Sequence, residues 1–97
     1  MIVKAHKTSD GRKILAVCDN NLLGKRFEEG NKQLDLTSGF YRGKEKSEEE
    51  ITGTIIGSYI INLVGEESIK LALKLNIVNE KNIIRIKGIP HAQSILE

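Results

Sequence analysis

Residues 51–65 (Ile-Thr-Gly-Thr-Ile-Ile-Gly-Ser-Tyr-Ile-Ile-Asn-Leu-Val-Gly) carry no charge, in a chain whose residues are 29% charged. So long an uncharged run has to be buried, and whatever buries it sets the architecture. Directly before it stands Ser47-Glu48-Glu49-Glu50. A serine followed three residues later by glutamate is the capping box of a helix N-terminus, and carboxylates in the first turn meet the positive end of the helix dipole. The pattern predicts a helix over about 47–64, stopped by Gly65. A bilayer span needs roughly 20 apolar residues; this run is shorter and flanked by charge, so no membrane segment is expected. Gly53 and Gly57, four residues apart, predict a helix face packed closely on a sheet.

A second helix is predicted over 66–75. Ile69, Ala72 and Leu73 form its apolar stripe, Glu66 and Lys70 an i,i+4 pair, and Asn76 its C-terminal cap. Residues 2–7 and 13–18 read as a hairpin around Asp10-Gly11, with the second strand apolar on both faces and hence central. If Asp10-Gly11 is a two-residue turn, His6 and Cys18 point to opposite faces. A three- or five-residue loop puts them on the same face. Residues 19–24 predict one helical turn capped by Asp19. Residues 25–29 and 32–36 predict a second hairpin, with Phe27, Leu34 and Leu36 facing inward. Near the C-terminus, 82–87 and 92–96 predict strands, with Gly88-Ile89-Pro90 as the break between them. The order points to one α+β domain over residues 1–97. Its expected form is a mostly antiparallel sheet of five or six short strands, covered on one face by two consecutive helices.

Composition excludes several classes. One cysteine forms no internal disulfide, so neither a stapled secreted scaffold nor a cysteine-rich zinc module fits. No signal peptide is expected, because the N-terminus runs straight into an alternating pattern. Lys and Glu are abundant and Gln is scarce, which fits a thermostable protein; seven Asn argue against it. The net charge of +2 hides an asymmetry, with residues 1–46 basic and 47–97 acidic. A basic half suits an anionic partner.

Gly39-Phe40-Tyr41-Arg42-Gly43-Lys44 fails as a phosphate-binding P-loop: three residues separate its glycines instead of four, and Glu45 follows the lysine. The same loop joins an aromatic to positive charge, the combination that binds single-stranded RNA by stacking and backbone neutralisation. Lys25, Arg26, Tyr41, Arg42, Lys44 and Lys46 are the candidate RNA contacts. The competing reading folds Phe40 and Tyr41 into the core and leaves the charges merely solvated. His6, Cys18 and His91 do not lie at ligand spacing, so no metal and no cofactor are expected. Cys18, in an apolar strand, reads as core rather than nucleophile. His91, placed after Pro90, and Gln93 share one face of an extended segment. Asn62 interrupts an otherwise apolar stretch. Asn62, His91 and Gln93 form a possible functional cluster, in which Asn62 and His91 are expected to approach one another. No catalytic set is evident.

Several strings are more specific. Cys18-Asp19 with Leu22-Leu23-Gly24-Lys25, Phe27, Glu29-Gly30, then Phe40-Tyr41 and Gly43, Asn62-Leu63-Val64-Gly65-Glu66, and Gly88-Ile89-Pro90-His91-Ala92-Gln93 resemble the archaeal domain-of-unknown-function family 424. The resemblance covers nearly the whole chain. It implies a small, free-standing, cytoplasmic archaeal protein with an association with translation, and it carries over no catalytic residue. The expected function is a non-enzymatic module binding RNA or a ribosomal component. The alternatives are a protein-interaction or homodimer module, or a small enzyme using His91. Neither a membrane partner nor a sequence-reading DNA motif is expected.

Overall fold

A computed structural model of the chain describes residues 1–96. Strands β1 (Ile2–Lys7) and β2 (Lys13–Cys18) form the first hairpin. Its loop has five residues: the Thr8 amide donates to Arg12 O at 2.8 Å, and Gly11 takes φ +86°. The register is Ile2 opposite Cys18 and His6 opposite Ile14, so His6 and Cys18 lie on the same face. The second hairpin, β3 (Arg26–Glu29) and β4 (Lys32–Asp35), turns at Gly30-Asn31. It forms a separate two-stranded sheet rather than extending the main one. Strand β5 (Lys44–Glu45) pairs with β1.

The uncharged run divides where one helix was expected. Helix α1 (Glu48–Ile55) begins with the predicted capping box, in which Ser47 Oγ accepts from the Glu50 amide at 3.1 Å and Glu50 Oε1 accepts from the Ser47 amide at 3.0 Å. It ends after two turns. Ile56-Gly57 then reverses the chain, with Gly57 at φ +82°, and Ser58–Val64 is strand β6. Gly53 and Gly57 therefore do not form a packing face; a methyl group at either position meets open space. Helix α2 (Glu66–Lys74) follows, and Asn76 supplies the left-handed residue beyond its end, at φ +59°. The two helices are separated by β6 and are not consecutive.

The chain finishes with β7 (Ile84–Ile86) and β8 (Ile89–Ile95). Lys87 and Gly88, at φ +54° and +77°, make the tight two-residue turn whose twist matches a hairpin. Gly88-Ile89-Pro90 is thus a turn and the start of a strand, not a break. Pro90 lies beyond the last β6–β8 pair, Val64 opposite His91, so its missing N–H removes nothing from that ladder.

The main sheet has six strands in the order β5-β1-β2-β6-β8-β7, antiparallel except for the parallel pair β2–β6 at its centre. The α+β class is as the sequence indicated. Alternation along the central strands divides the core. Leu15, Val17, Ile61 and Leu63 point to one face and pack with Ile51 of α1 and with Ile69, Leu71 and Ala72 of α2. Each of the Val, Leu and Ile side chains contributes about 1.5–3 kcal/mol on full burial. Ala16, Cys18 and Val64 point to the other face, where Leu34, Leu36 and Tyr41 cover them.

Candidate nucleic-acid interface

The loop after β4 builds one edge of the molecule. Ser38 Oγ accepts from the Phe40 amide, and residues 39–41 form a single tight turn. The turn sends neighbouring rings in different directions. Tyr41 is 6% exposed and plugs the second core, its phenol pushed well above the ordinary value by burial and, secondarily, by the nearby Cys18. Tyr41 therefore has no ring face to offer a base, contrary to its expected role. Phe40 stays 37% exposed and stacks on His6, with centroids 4.6 Å apart and planes 9° apart. His6 Nε2 lies 2.8 Å from Phe40 O, which fixes the pair further.

Beyond Tyr41 the chain runs against β1. Gly43 sits so close that an added Cβ would stand 2.0 Å from Val3 O. Only glycine permits that approach. Lys44 then pairs with Val3, and the Lys46 amide donates to Met1 O at 2.9 Å. Between this segment, β1, β2 and the end of α1 lies a cleft of about 490 Å³. Its floor is Val3, Ala5 and Leu15; its rim carries Lys13, Arg42, Lys44 and Lys46, and no carboxylate lines it. Lys13 Nζ donates to Thr54 O at 2.7 Å, which couples the rim to the last turn of α1.

The candidate contacts thus separate. Arg42, Lys44 and Lys46 come together as expected, whereas Lys25 and Arg26 do not join them. The β3–β4 hairpin that Arg26 begins is tethered to the opposite edge of the sheet, where Glu29 Oε1 accepts from the Lys87 amide at 2.6 Å. Arg26 is also paired with Glu28. Sequence reasoning missed Lys13. The signal was available: Lys13 opens the strand that the pattern made central, and β1–β5 contact brings the loop to its end.

Asn62, His91 and Gln93 lie together. Asn62 is directly opposite Gln93 and Val64 opposite His91, so all three project from one face of adjacent strands. The expected approach of Asn62 and His91 arises from strand pairing, not from a turn folded onto a helix end; diagonal neighbours of this kind stand about 7–8 Å apart. Burial disfavours the charged form of the His91 imidazole and holds it below its ordinary value. His6, Cys18 and His91 also share that face, but among the described residues no group of three or more His, Cys, Asp or Glu side chains is placed to hold a metal ion. Burial, and then the Asp19 charge, push the Cys18 thiol up to about 11.

Asp19 has a different task from the expected one. It does not cap the turn at 20–22. Its carboxylate crosses to α2 and accepts from the Glu67 amide at 3.1 Å, the Ser68 amide at 2.9 Å and Ser68 Oγ at 2.8 Å. The N-cap position of α2 is Gly65, which has no side chain to cap with, so a residue just past the end of β2 supplies the acceptor.

The chain is a small α+β domain in which one loop lines a basic cleft and also carries an exposed aromatic. The chain belongs to the DUF424 family of proteins of unknown function, whose family model matches residues 6–96. It is similar to an uncharacterized conserved protein from Methanopyrus kandleri of known crystal structure. The two are 26% identical, with a TM-score of 0.78 over 95% of this chain and 87% of that one. Comparison with curated proteins gives no match. Among the described residues no helix is long and apolar enough to cross a membrane.

Proposed function

We propose that this protein is a non-enzymatic RNA-binding module acting in translation, and that it grips the RNA backbone in the cleft beside β5. The observation that supports this reading is the rim of Lys13, Arg42, Lys44 and Lys46 around one concavity without a lining carboxylate. Positive groups so arranged attract phosphates from a distance and hold them at close range. Backbone contacts of this kind give affinity with little sequence preference.

The reading is tested by the anisotropy of a labelled single-stranded oligoribonucleotide across a salt series. Affinity should fall with salt by about 0.7 log units per log salt for each phosphate neutralised. The double variant Lys44→Glu/Lys46→Glu should bind more weakly and with a shallower slope, while Lys25→Glu should resemble the natural protein. Binding that is absent, or indifferent to salt, removes the proposal.

A further inference from the structure

The sheet face opposite the helices is only half covered. Strand register arranges its side chains in rows that cross the sheet. The row Ile2, Cys18, Val64, His91 and Ile84 lies next to the β3–β4 hairpin, and Cys18 and Val64 are fully buried there. The next row is Lys4, Ala16, Asn62 and Gln93, in which Ala16 is fully buried and the other three are not. The outermost is His6, Ile14, Ile60 and Ile95, and no residue of this row is buried. Phe40 stacks on His6 at the end of the outermost row. Of the four most exposed large apolar side chains, Phe40, Ile84 and Ile95 stand on this face.

We infer that this uncovered half-face seats unstacked bases of the same single-stranded RNA whose backbone the cleft holds. Phe40 and His6 offer the stacking surface, and Asn62 and Gln93 the contacts to base edges. The inference rests on the RNA reading above and extends it from phosphate to base.

Three features select this occupant. The two outer rows contain Lys4 and His6 and no carboxylate, so the face complements an anionic ligand and not a basic one. The paired carboxamides of Asn62 and Gln93 each present a donor and an acceptor, the groups that recognise base edges once a base is splayed out. The isoleucines of the neighbouring row, Ile14, Ile60 and Ile95, suit the apolar faces of a base, which a duplex keeps hidden and a single strand exposes. The cleft's floor, Val3, Ala5 and Leu15, lies on the helix side of the sheet, and one loop passes round the edge between the two surfaces: Phe40 reaches this face while Arg42 and Lys44, a few residues on, line the cleft. A strand held at the edge by its phosphates can therefore turn its bases onto the face.

The test compares three probes of equal length: an adenine-rich single strand, the same backbone without bases, and a duplex. The natural protein should bind the single strand at least tenfold more tightly than the abasic strand. Phe40→Ala should weaken single-strand binding roughly ten- to a hundredfold, the range for losing one stacking contact. It should leave abasic binding and the salt slope unchanged. Gln93→Ala, at an exposed strand position, should weaken the single strand selectively and serves as a second variant should Phe40→Ala unfold. Equal binding of the single and abasic strands, or variants that bind the single strand as the natural protein does, overturns the inference but leaves the backbone reading standing. Loss of abasic binding along with everything else marks the failure of the cleft itself. Concentration-dependent dimerisation abolished by Phe40→Ala, with RNA binding unaffected, would make the face a protein interface and overturn the inference.

Discussion

The Asp19 carboxylate and the Ser68 hydroxyl meet at 2.8 Å in a setting where Asp19 is 6% exposed and Ser68 is completely buried. The contact ties the end of β2 to the first turn of α2. Removing the carboxylate leaves two helix amides and a hydroxyl without an acceptor. Asp19→Ala should therefore cost about 2–4 kcal/mol, measured by urea denaturation. Gly65→Ala should be comparably harmful. It forces a side chain into φ +110° and sets its Cβ 2.3 Å from the Asp19 carboxyl carbon. Either variant remaining within about 0.5 kcal/mol of the natural protein, the ordinary range for surface changes, would mean that α2 is held by its apolar face alone.

Gly43→Ala tests the seating of the loop. Its methyl group would overlap the Val3 carbonyl, so the 42–46 segment has to lift from β1. A loss of about 1–3 kcal/mol is expected, as for other overpacked positions. RNA affinity should fall with it, because Arg42 and Lys44 move with the segment. An unchanged melting temperature together with unchanged RNA affinity would show that the close approach is not needed.

Ser47→Ala removes one half of the capping box and should cost about 1 kcal/mol. The effect should be local, since α1 has only two turns and one fully buried residue, Ile51. Hydrogen exchange should report faster opening of α1 amides with α2 protection unchanged.

Acidification should weaken the fold through His91. Burial holds its folded value below the ordinary one, near 6.5. Above about 6.5 both states are neutral and stability is full. As pH falls from there toward the folded value, the unfolded chain binds a proton that the folded chain refuses, so stability declines. His91→Gln should flatten the denaturation midpoint over this window. A midpoint that falls equally in both proteins would assign the acid sensitivity elsewhere.

Cys18 should behave as a reporter of unfolding. Its thiol is buried and pushed up to about 11, so few thiolates form at neutral pH and none is accessible. Labelling by a disulfide reagent should proceed at the rate of opening and accelerate sharply in urea. Rapid labelling of the folded protein would contradict the burial.

The two N-terminal hairpins and the strands near the C-terminus were legible because alternation and Gly-containing turns are local signals. The start of α1 was legible for the same reason: Ser47 and Glu50 form their box within one turn. Its end was not. Residues 58–64 form a central strand with apolar side chains on both faces, so they show no alternation, and an apolar run without alternation reads equally as a buried helix. Gly57 marked the change, but a glycine within an uncharged stretch also reads as a packing position. Of the interface, Arg42, Lys44 and Lys46 were found together because they are neighbours in sequence. Lys13 and His6 join them through the pairing of β1 with β2 and β5, which depends on a turn length the sequence leaves open. Tyr41 and Phe40 exchanged roles because a single tight turn decides which ring points inward.

The parallel pairing of β2 with β6 also bears on how the chain reaches its native state. Each antiparallel neighbour pair of β1–β2 and β7–β8 closes through a short turn, and such hairpins form within microseconds. The central seam instead joins residues 13–18 to residues 58–64 across the whole intervening chain. Loop-closure entropy opposes that contact before any core exists to reward it. The middle of the sheet, the most protected part of the finished molecule, is therefore the natural bottleneck in its assembly. Changes to Ala16, Val17 or Leu63 should then slow folding more than they hasten unfolding.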